Sequence, residues 1–181
     1  LHTLPGGRGI LVAGSKGGLA MAFDPDKNGA VVWKTNLAER APGAAGLIVF
    51  GGSSDGQSVY YGLNQPGNVV AAVNLADGSR KWTTPAIAGA RGGNPAATTA
   101  IPGVVFSHSA DGTLRGLSTT DGKVLFEFAT AKEFQTVNEV TARGGAFGQS
   151  GSTVVGGMLF VGSGYNGQGT GGNVLLAFGL D

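Results

Sequence analysis

The chain has 181 residues, 41% of them apolar and 13% charged, which is enough apolar surface to bury a core and too little charge for a disordered chain. With 12 Lys and Arg against 11 Asp and Glu the net charge is +1, and no basic run exists to neutralise a phosphate backbone, so nucleic acid is not an expected partner. There is no Cys, so disulfides, thiolate chemistry and c-type haem attachment fall outside these residues, and no apolar run approaches the ~20 residues of a membrane span.

Taken in chain order, the first recognisable unit is AFDPDKNGAVVW at residues 22–33, which reads as strand, Gly turn, strand. Residues 72–82, AVNLADGSRKW, restate it, and residues 116–126, GLSTTDGKVLF, do so again. The shared pattern is small-x-x-x-x-Asp-Gly-x-x-x-aromatic, with one extra turn residue in the first copy. A fourth copy opens at Ala177 with AFGLD. The starts at Ala22, Ala72, Gly116 and Ala177 recur at roughly the 40–50 residue period of propeller blades with loop insertions. Glycines 29, 78 and 122 supply the positive φ of each turn, and Trp33, Trp82 and Phe126 are large enough to bridge to a neighbouring sheet.

A second hairpin precedes each of these, as TAIPGVVF at 99–106 and TVVGGMLF at 153–160 show when laid side by side. The unit is therefore four strands, and no stretch carries a competing helical period. The predicted fold is all-β, a β-propeller of four-stranded antiparallel blades with about four blades present at residues 1–36, 46–84, 97–129 and 152–181. Blade 4 has three strands and lacks a fourth, so its edge must be closed. One expectation is that Asp181 sits near a natural C-terminus and a missing N-terminal half supplies the closing strand. The other is that a second copy covers the open edges head to tail.

Turns after the first and third strands are short, which trims one face of the ring. The opposite face receives residues 37–45, 85–96 and 130–151 and the Gly-rich connection at 164–172, where binding residues are expected to concentrate. Its polar candidates are Arg91, Asn94, Asn138, Glu139, Arg143, Gln149, Tyr165 and Asn166.

Other signals are absorbed by the repeat. DPDKNG at 24–29 matches the opening of a calcium loop, but its twelfth position is Thr35 rather than Glu. Gly162, Gly164 and Gly167 have dinucleotide-fingerprint spacing, yet a strand follows where a helix is required. His108 lies in an alternating strand and reads as structural. No metal site is assigned.

The repeat A-x-D/N-x-x-D-G-x-x-x-W resembles the tryptophan-docking motif of the pyrroloquinoline quinone (PQQ) dehydrogenases. AFDPDKNGAVVW, TAIPGVVFSHSADGTLRGL and VVGGMLFVGSGY with GGNVLLAF resemble the C-terminal half of the cytochrome-linked polyvinyl alcohol dehydrogenases. The resemblance implies an eight-bladed ring holding the quinone and a calcium ion at its axis, a catalytic Asp, a cytochrome c as electron acceptor, and a periplasmic or secreted location. The implied base and metal ligands are not recognisable in these residues. The cofactor-binding residues expected from the loop face are Arg91, Asn138, Arg143, Tyr165 and Asn166, among which cationic and amide groups such as Arg143 and Asn138 suit the quinone's three carboxylates. The competing expectation is a non-catalytic propeller that docks another protein on the same face.

Overall fold

The computed structural model describes residues 1–37, 47–90, 92–165 and 169–179. Its strands pair antiparallel with their neighbours in sequence, so each sheet is a meander. The first contains β1 (His2–Thr3), β2 (Gly9–Gly14), β3 (Leu19–Asp24) and β4 (Ala30–Asn36). The second contains β5 (Gly52–Ser54), β6 (Ser58–Gly62), β7 (Val70–Asn74) and β8 (Arg80–Thr83), and the third β9 (Thr99–Ile101), β10 (Val104–His108), β11 (Thr113–Ser118) and β12 (Val124–Ala129). A hairpin of β13 (Glu133–Gln135) and β14 (Thr141–Arg143) follows, then a three-stranded sheet of β15 (Thr153–Val155), β16 (Met158–Ser163) and β17 (Val174–Phe178).

The core is divided into seams between successive sheets, which distinguishes this stack from a two-layer sandwich. Ile10, Ala20, Ala22 and Trp33 of the first sheet meet Val59, Tyr61, Ala71, Val73 and Leu75. Tyr60, Val70 and Ala72 turn the other way and pack with Val105 and Leu117. Leu114 joins Leu159 and Val161 in the third seam, with Phe106, Val154, Leu176 and Phe178 against them. Alternation along β7 therefore buries both faces of the second sheet, because a strand presents successive side chains to opposite sides.

The repeated aromatic residues act as wedges across the first two seams. Trp33 Nε1 donates to the carbonyl of Leu75 at 3.0 Å, and Trp82 Nε1 donates to that of Thr119 at the same distance. Each indole lies on the turn glycine of the next sheet: a Cβ on Gly78 would collide with Trp33, and one on Gly122 would stand 2.9 Å from Trp82. Glycines 29, 78 and 122 all take φ between 71° and 74°. The small opening residue is also explained, since Ala22 and Ala72 are completely buried in the seams. Phe126 departs from this pattern. It packs edge-on against Phe178 at 5.6 Å but keeps more than a third of its surface exposed.

One periodic feature is absent from the sequence reading. The register between third and fourth strands shifts at Ala22/Phe23, at Ala72/Val73 and at Gly116/Leu117, immediately after the small residue in every case. A bulge increases local twist and re-aims the following side chains. The outer strand is thereby turned so that its aromatic residue reaches the next sheet.

The segment at 130–151, read from sequence as an interblade loop, contains the β13–β14 hairpin instead. Glu133 pairs with Arg143 and Gln135 with Thr141. Its turn has no glycine; Glu139 supplies the left-handed residue at φ 62°, donating its N–H to Thr136 O at 3.0 Å.

Candidate functional site

Because the strands run alternately up and down, the β2–β3, β6–β7 and β10–β11 turns share one face with the intersheet connections. This face is tied down by backbone bonds between turn and connection. Leu37 N–H reaches Gly18 O at 2.8 Å, Thr130 N–H reaches Gly112 O at 2.8 Å, and Ala110 N–H reaches Gly93 O at 2.8 Å. The loops of the face are thus mounted on rigid strand ends, the arrangement on which binding sites are commonly built.

The hairpin carries two of the five cofactor-binding residues expected from sequence. Arg143, exposed at the end of β14, is fixed through its backbone: its N–H donates to Asn173 Oδ1 at 3.0 Å, and its carbonyl accepts from Asn173 N–H at 2.8 Å. Asn138 lies at the hairpin tip, where its Oδ1 accepts from Thr136 Oγ1, so the two residues occupy opposite ends of the hairpin. Tyr165 stands after β16 with 75% of its surface exposed. Arg91 and Asn166 lie outside the described residues. Lys132 adds a cation here, with its Nζ 4.4 Å from the Phe128 ring centroid and 5.4 Å from that of Phe134.

The remaining polar candidates separate. Glu139 is exposed in the hairpin turn, and Gln149 is exposed while its carbonyl accepts from Ala97 N–H at 3.1 Å. Asn94 is not a solvated loop residue at all. It is 1% exposed, and its Nδ2 donates to Val69 O at 3.0 Å, pinning the β6–β7 turn to the following connection.

A cluster that the sequence reading missed joins the second and third sheets on this face. Asn68, left-handed at φ 52°, donates from Nδ2 to Asp111 Oδ2 at 2.7 Å. The other carboxylate oxygen accepts from Ser109 Oγ and from Thr113 N–H at 3.1 Å. Burial works to raise the Asp111 pKa, but hydrogen bonds from Ser109, Asn68 and Thr113 outweigh it and hold the carboxyl below its ordinary range. The Oδ1 atoms of Asn68 and Asn94 are buried without a hydrogen-bond partner, so two acceptors on this face remain unsatisfied. The turn residues Pro66-Gly67-Asn68 mark a loop in the sequence, but nothing local joins them to Asp111, 43 residues on.

His108 links the third sheet to the chain ahead of β15. Its Nδ1 is 3.1 Å from Ala97 O and its Nε2 contacts Ser152 Oγ, while Phe147 meets the ring edge-on at 5.3 Å. A carbonyl can only accept, so Nδ1 carries the proton and Nε2 accepts from the serine hydroxyl. Burial pushes the imidazole down to about 4, which keeps it neutral. A serine, a histidine and an orienting acceptor are the parts of a nucleophilic site, but both side chains are sealed in the seam. Here they serve as a staple. Ser163 Oγ does similar work, donating to Thr130 Oγ1 at 2.7 Å and accepting from Gly145 N–H at 3.0 Å.

Asp24, the first carboxylate of the calcium-like hexapeptide, is already engaged. Asp24 accepts from Arg8 Nη2 at 2.9 Å and from Asp26 N–H at 3.1 Å, capping a short 3-10 turn at Pro25–Lys27. Among the described residues no group of three His, Cys, Asp or Glu side chains is placed to hold a metal ion.

Among the described residues, grooves open along the seams, and two of them adjoin the third sheet. One of about 210 Å³ lies between the second and third sheets, lined by Val70, Thr84, Ile87, Arg115, Leu117 and Val124. The other, of about 370 Å³ and almost wholly apolar, is lined by Phe106, Leu125, Phe126, Val154, Leu159 and Phe178 between the third sheet and the last.

Comparison with known proteins adds what geometry leaves open. The family model described as outer membrane protein assembly factor BamB matches residues 2–174. A polyvinylalcohol dehydrogenase from a Pseudomonas species is 40% identical over 208 residues, which covers 100% of this chain and 32% of that protein. The chain spans about a third of the length of the curated relatives it matches. Among solved structures, BamB from Moraxella catarrhalis superposes with a TM-score of 0.59 at 21% identity, covering 98% of this chain and 44% of that one. The quinohemoprotein alcohol dehydrogenase from Comamonas testosteroni gives a TM-score of 0.70 at 15% identity, covering 91% and 28%. At these identities the structural likeness speaks for the fold.

Proposed function

Because the chain belongs to the PQQ-like β-propeller repeat family of outer membrane protein assembly factor BamB, we propose that it is a propeller segment of a PQQ-dependent alcohol dehydrogenase of the polyvinyl alcohol dehydrogenase type. The observation that carries this reading is the 40% identity maintained over the entire chain. Its substrate class is a hydroxyl-bearing molecule, its electron acceptor a cytochrome c, and its location periplasmic or secreted.

The donor set on the loop face is compatible with a polyanionic ligand. Arg143 offers a guanidinium whose backbone is held on both sides by Asn173, and the Asn138 amide can donate to a carboxylate oxygen. Tyr165 contributes an exposed ring, and Arg91 and Asn166 complete the proposed set from residues outside those described. No calcium ligand is assigned among the described residues. When bound, the quinone supplies the two-electron oxidation of the alcohol carbon. The task of this chain is to hold carboxylates at the rim and to wall the chamber with tightly bonded seams.

Replacing Arg143 with Ala in the full dehydrogenase is expected to weaken quinone binding by about tenfold or more, since a charge-assisted hydrogen bond contributes about 1.5–3 kcal/mol. Fluorescence titration with PQQ reads this directly. Unchanged affinity would remove Arg143 from the site.

A second reading, a scaffold that docks another protein through the same face, is favoured by the BamB family match across residues 2–174. Dye-linked oxidation of alcohols with added quinone and calcium separates the two. Turnover supports the dehydrogenase, and absence of both turnover and quinone binding supports the scaffold.

A further inference from the structure

Arg115 breaks the repeat. It precedes Gly116 as Ala71 precedes Ala72 and Met21 precedes Ala22, so a cation stands where the second sheet buries an alanine. Alternation along β11 puts Arg115 on the same side as Leu117, which packs with Val70 in the seam between the second and third sheets. Only 8% of Arg115 is exposed. Across the strands it lies between Ser107 and Glu127, and its Nε donates to Glu127 Oε2 at 2.7 Å.

That bond is the one its guanidinium makes among the described residues, so both Nη atoms carry donors that no protein acceptor takes up. A charge is costly to bury unless it is paired and its hydrogen bonds are met. Glu127 balances it in part, with a side chain that is itself 53% accessible. The sealed and unbonded side-chain polar atoms are Asn68 Oδ1, Thr83 Oγ1 and Asn94 Oδ1; the Nη atoms are not among them and so remain reachable. Arg115 lines the groove of about 210 Å³ between these two sheets, whose walls also include Val70, Ile87, Leu117 and Val124. Both sheets have four strands and each is packed between neighbours, so the groove belongs to the interior of the stack.

We propose that this groove binds a small carboxylate with an apolar body, its carboxylate held by the Nη donors of Arg115 and its hydrocarbon laid against Val70, Leu117 and Val124. A guanidinium presents parallel N–H groups that match the two oxygens of a carboxylate, and Glu127 occupies the Nε side alone. Volume sets the size of the occupant, because pockets for drug-sized ligands run to about 300–1,000 Å³ and this groove is smaller. Asp121, the acidic side chain that shares the groove, is paired with Lys123 at 2.9 Å and does not confront the ligand as a bare charge. The site is separate from Arg143 and independent of quinone binding.

Calorimetric titration of hexanoate into the full-length protein, with PQQ in excess to fill any anion site at the rim, tests the proposal. Binding of one hexanoate per chain is expected, and hexanamide, which keeps the size and loses the charge, should bind about tenfold or more weakly. Arg115→Met should weaken hexanoate by about tenfold or more and leave hexanamide nearly as before. Val124→Trp fills the groove from a residue that is 51% exposed, so the fold is retained and both ligands should be lost even if Arg115→Met fails to fold. Arg143→Ala should leave hexanoate affinity unchanged, which separates this site from the one proposed for the quinone. No binding of hexanoate at millimolar concentration would overturn the proposal. So would equal affinity for hexanoate and hexanamide, hexanoate binding that survives Val124→Trp, or its loss in Arg143→Ala.

Discussion

Trp33 and Trp82 each join two sheets through one ring and one hydrogen bond to a neighbouring carbonyl. Trp33→Ala removes a large buried side chain and leaves the Leu75 carbonyl unpaired, so a loss of about 3–5 kcal/mol is expected in a urea titration. Trp33→Phe, which retains most of the ring, is expected to cost less, with the loss of the hydrogen bond alone contributing about 1–3 kcal/mol. His108 gives a pH signature. Its folded pKa lies near 4 against an ordinary 6.5, so between those values the unfolded chain takes up a proton that the folded chain refuses. Stability should be full above about pH 6.5 and fall by about 3 kcal/mol toward pH 4, a slope that His108→Gln removes. Urea midpoints measured across that range decide it, and a flat profile for the unaltered chain would contradict the buried neutral imidazole. The wedge role of the indoles was legible from their fixed place in the repeat. The burial of Asn94 was not, because it depends on Val69, a residue whose nearness only the folded turn creates.

Among the elements, the Asp-Gly hairpins were legible because their turn chemistry is local. The β13–β14 hairpin escaped notice because its left-handed turn residue is Glu139 rather than a glycine. The recurrent bulges escaped for a different reason: a register shift leaves no composition signal, and it shows only when two strands are laid together. The turns themselves offer a controlled comparison. Gly29 and Gly78 have nearly equal φ, 73° and 71°, yet a Cβ at Gly29 meets nothing within 4 Å while one at Gly78 strikes Trp33. Gly29→Ala should therefore cost only the conformational penalty of about 1–2 kcal/mol. Gly78→Ala should cost about 1–3 kcal/mol more, the added expense of overpacking the seam. Chemical denaturation of the two variants side by side checks this, and equal losses would mean that the indole does not rest on that turn.

For the whole molecule, the roughly 40–50 residue period made the stack of meanders readable before any coordinates, since each unit can bury its apolar faces only against another. The candidate site was far less readable. Sequence could assign Asn138 and Arg143 to one loop face, but the hairpin that sets them at opposite ends, and the Asn68–Asp111 bridge between sheets, arise from contacts distant along the chain. The proposed function rests on how the loop face is used, while the loop face rests on the seams beneath it. The chain has two tryptophans, so the seams can be watched without ambiguity. Proton exchange of the two indole N–H groups, followed by nuclear magnetic resonance, measures whether each is bonded to its neighbour's carbonyl. Radial stacking through the indole wedges predicts two resonances strongly protected from exchange with water, and rapid exchange at both would contradict it.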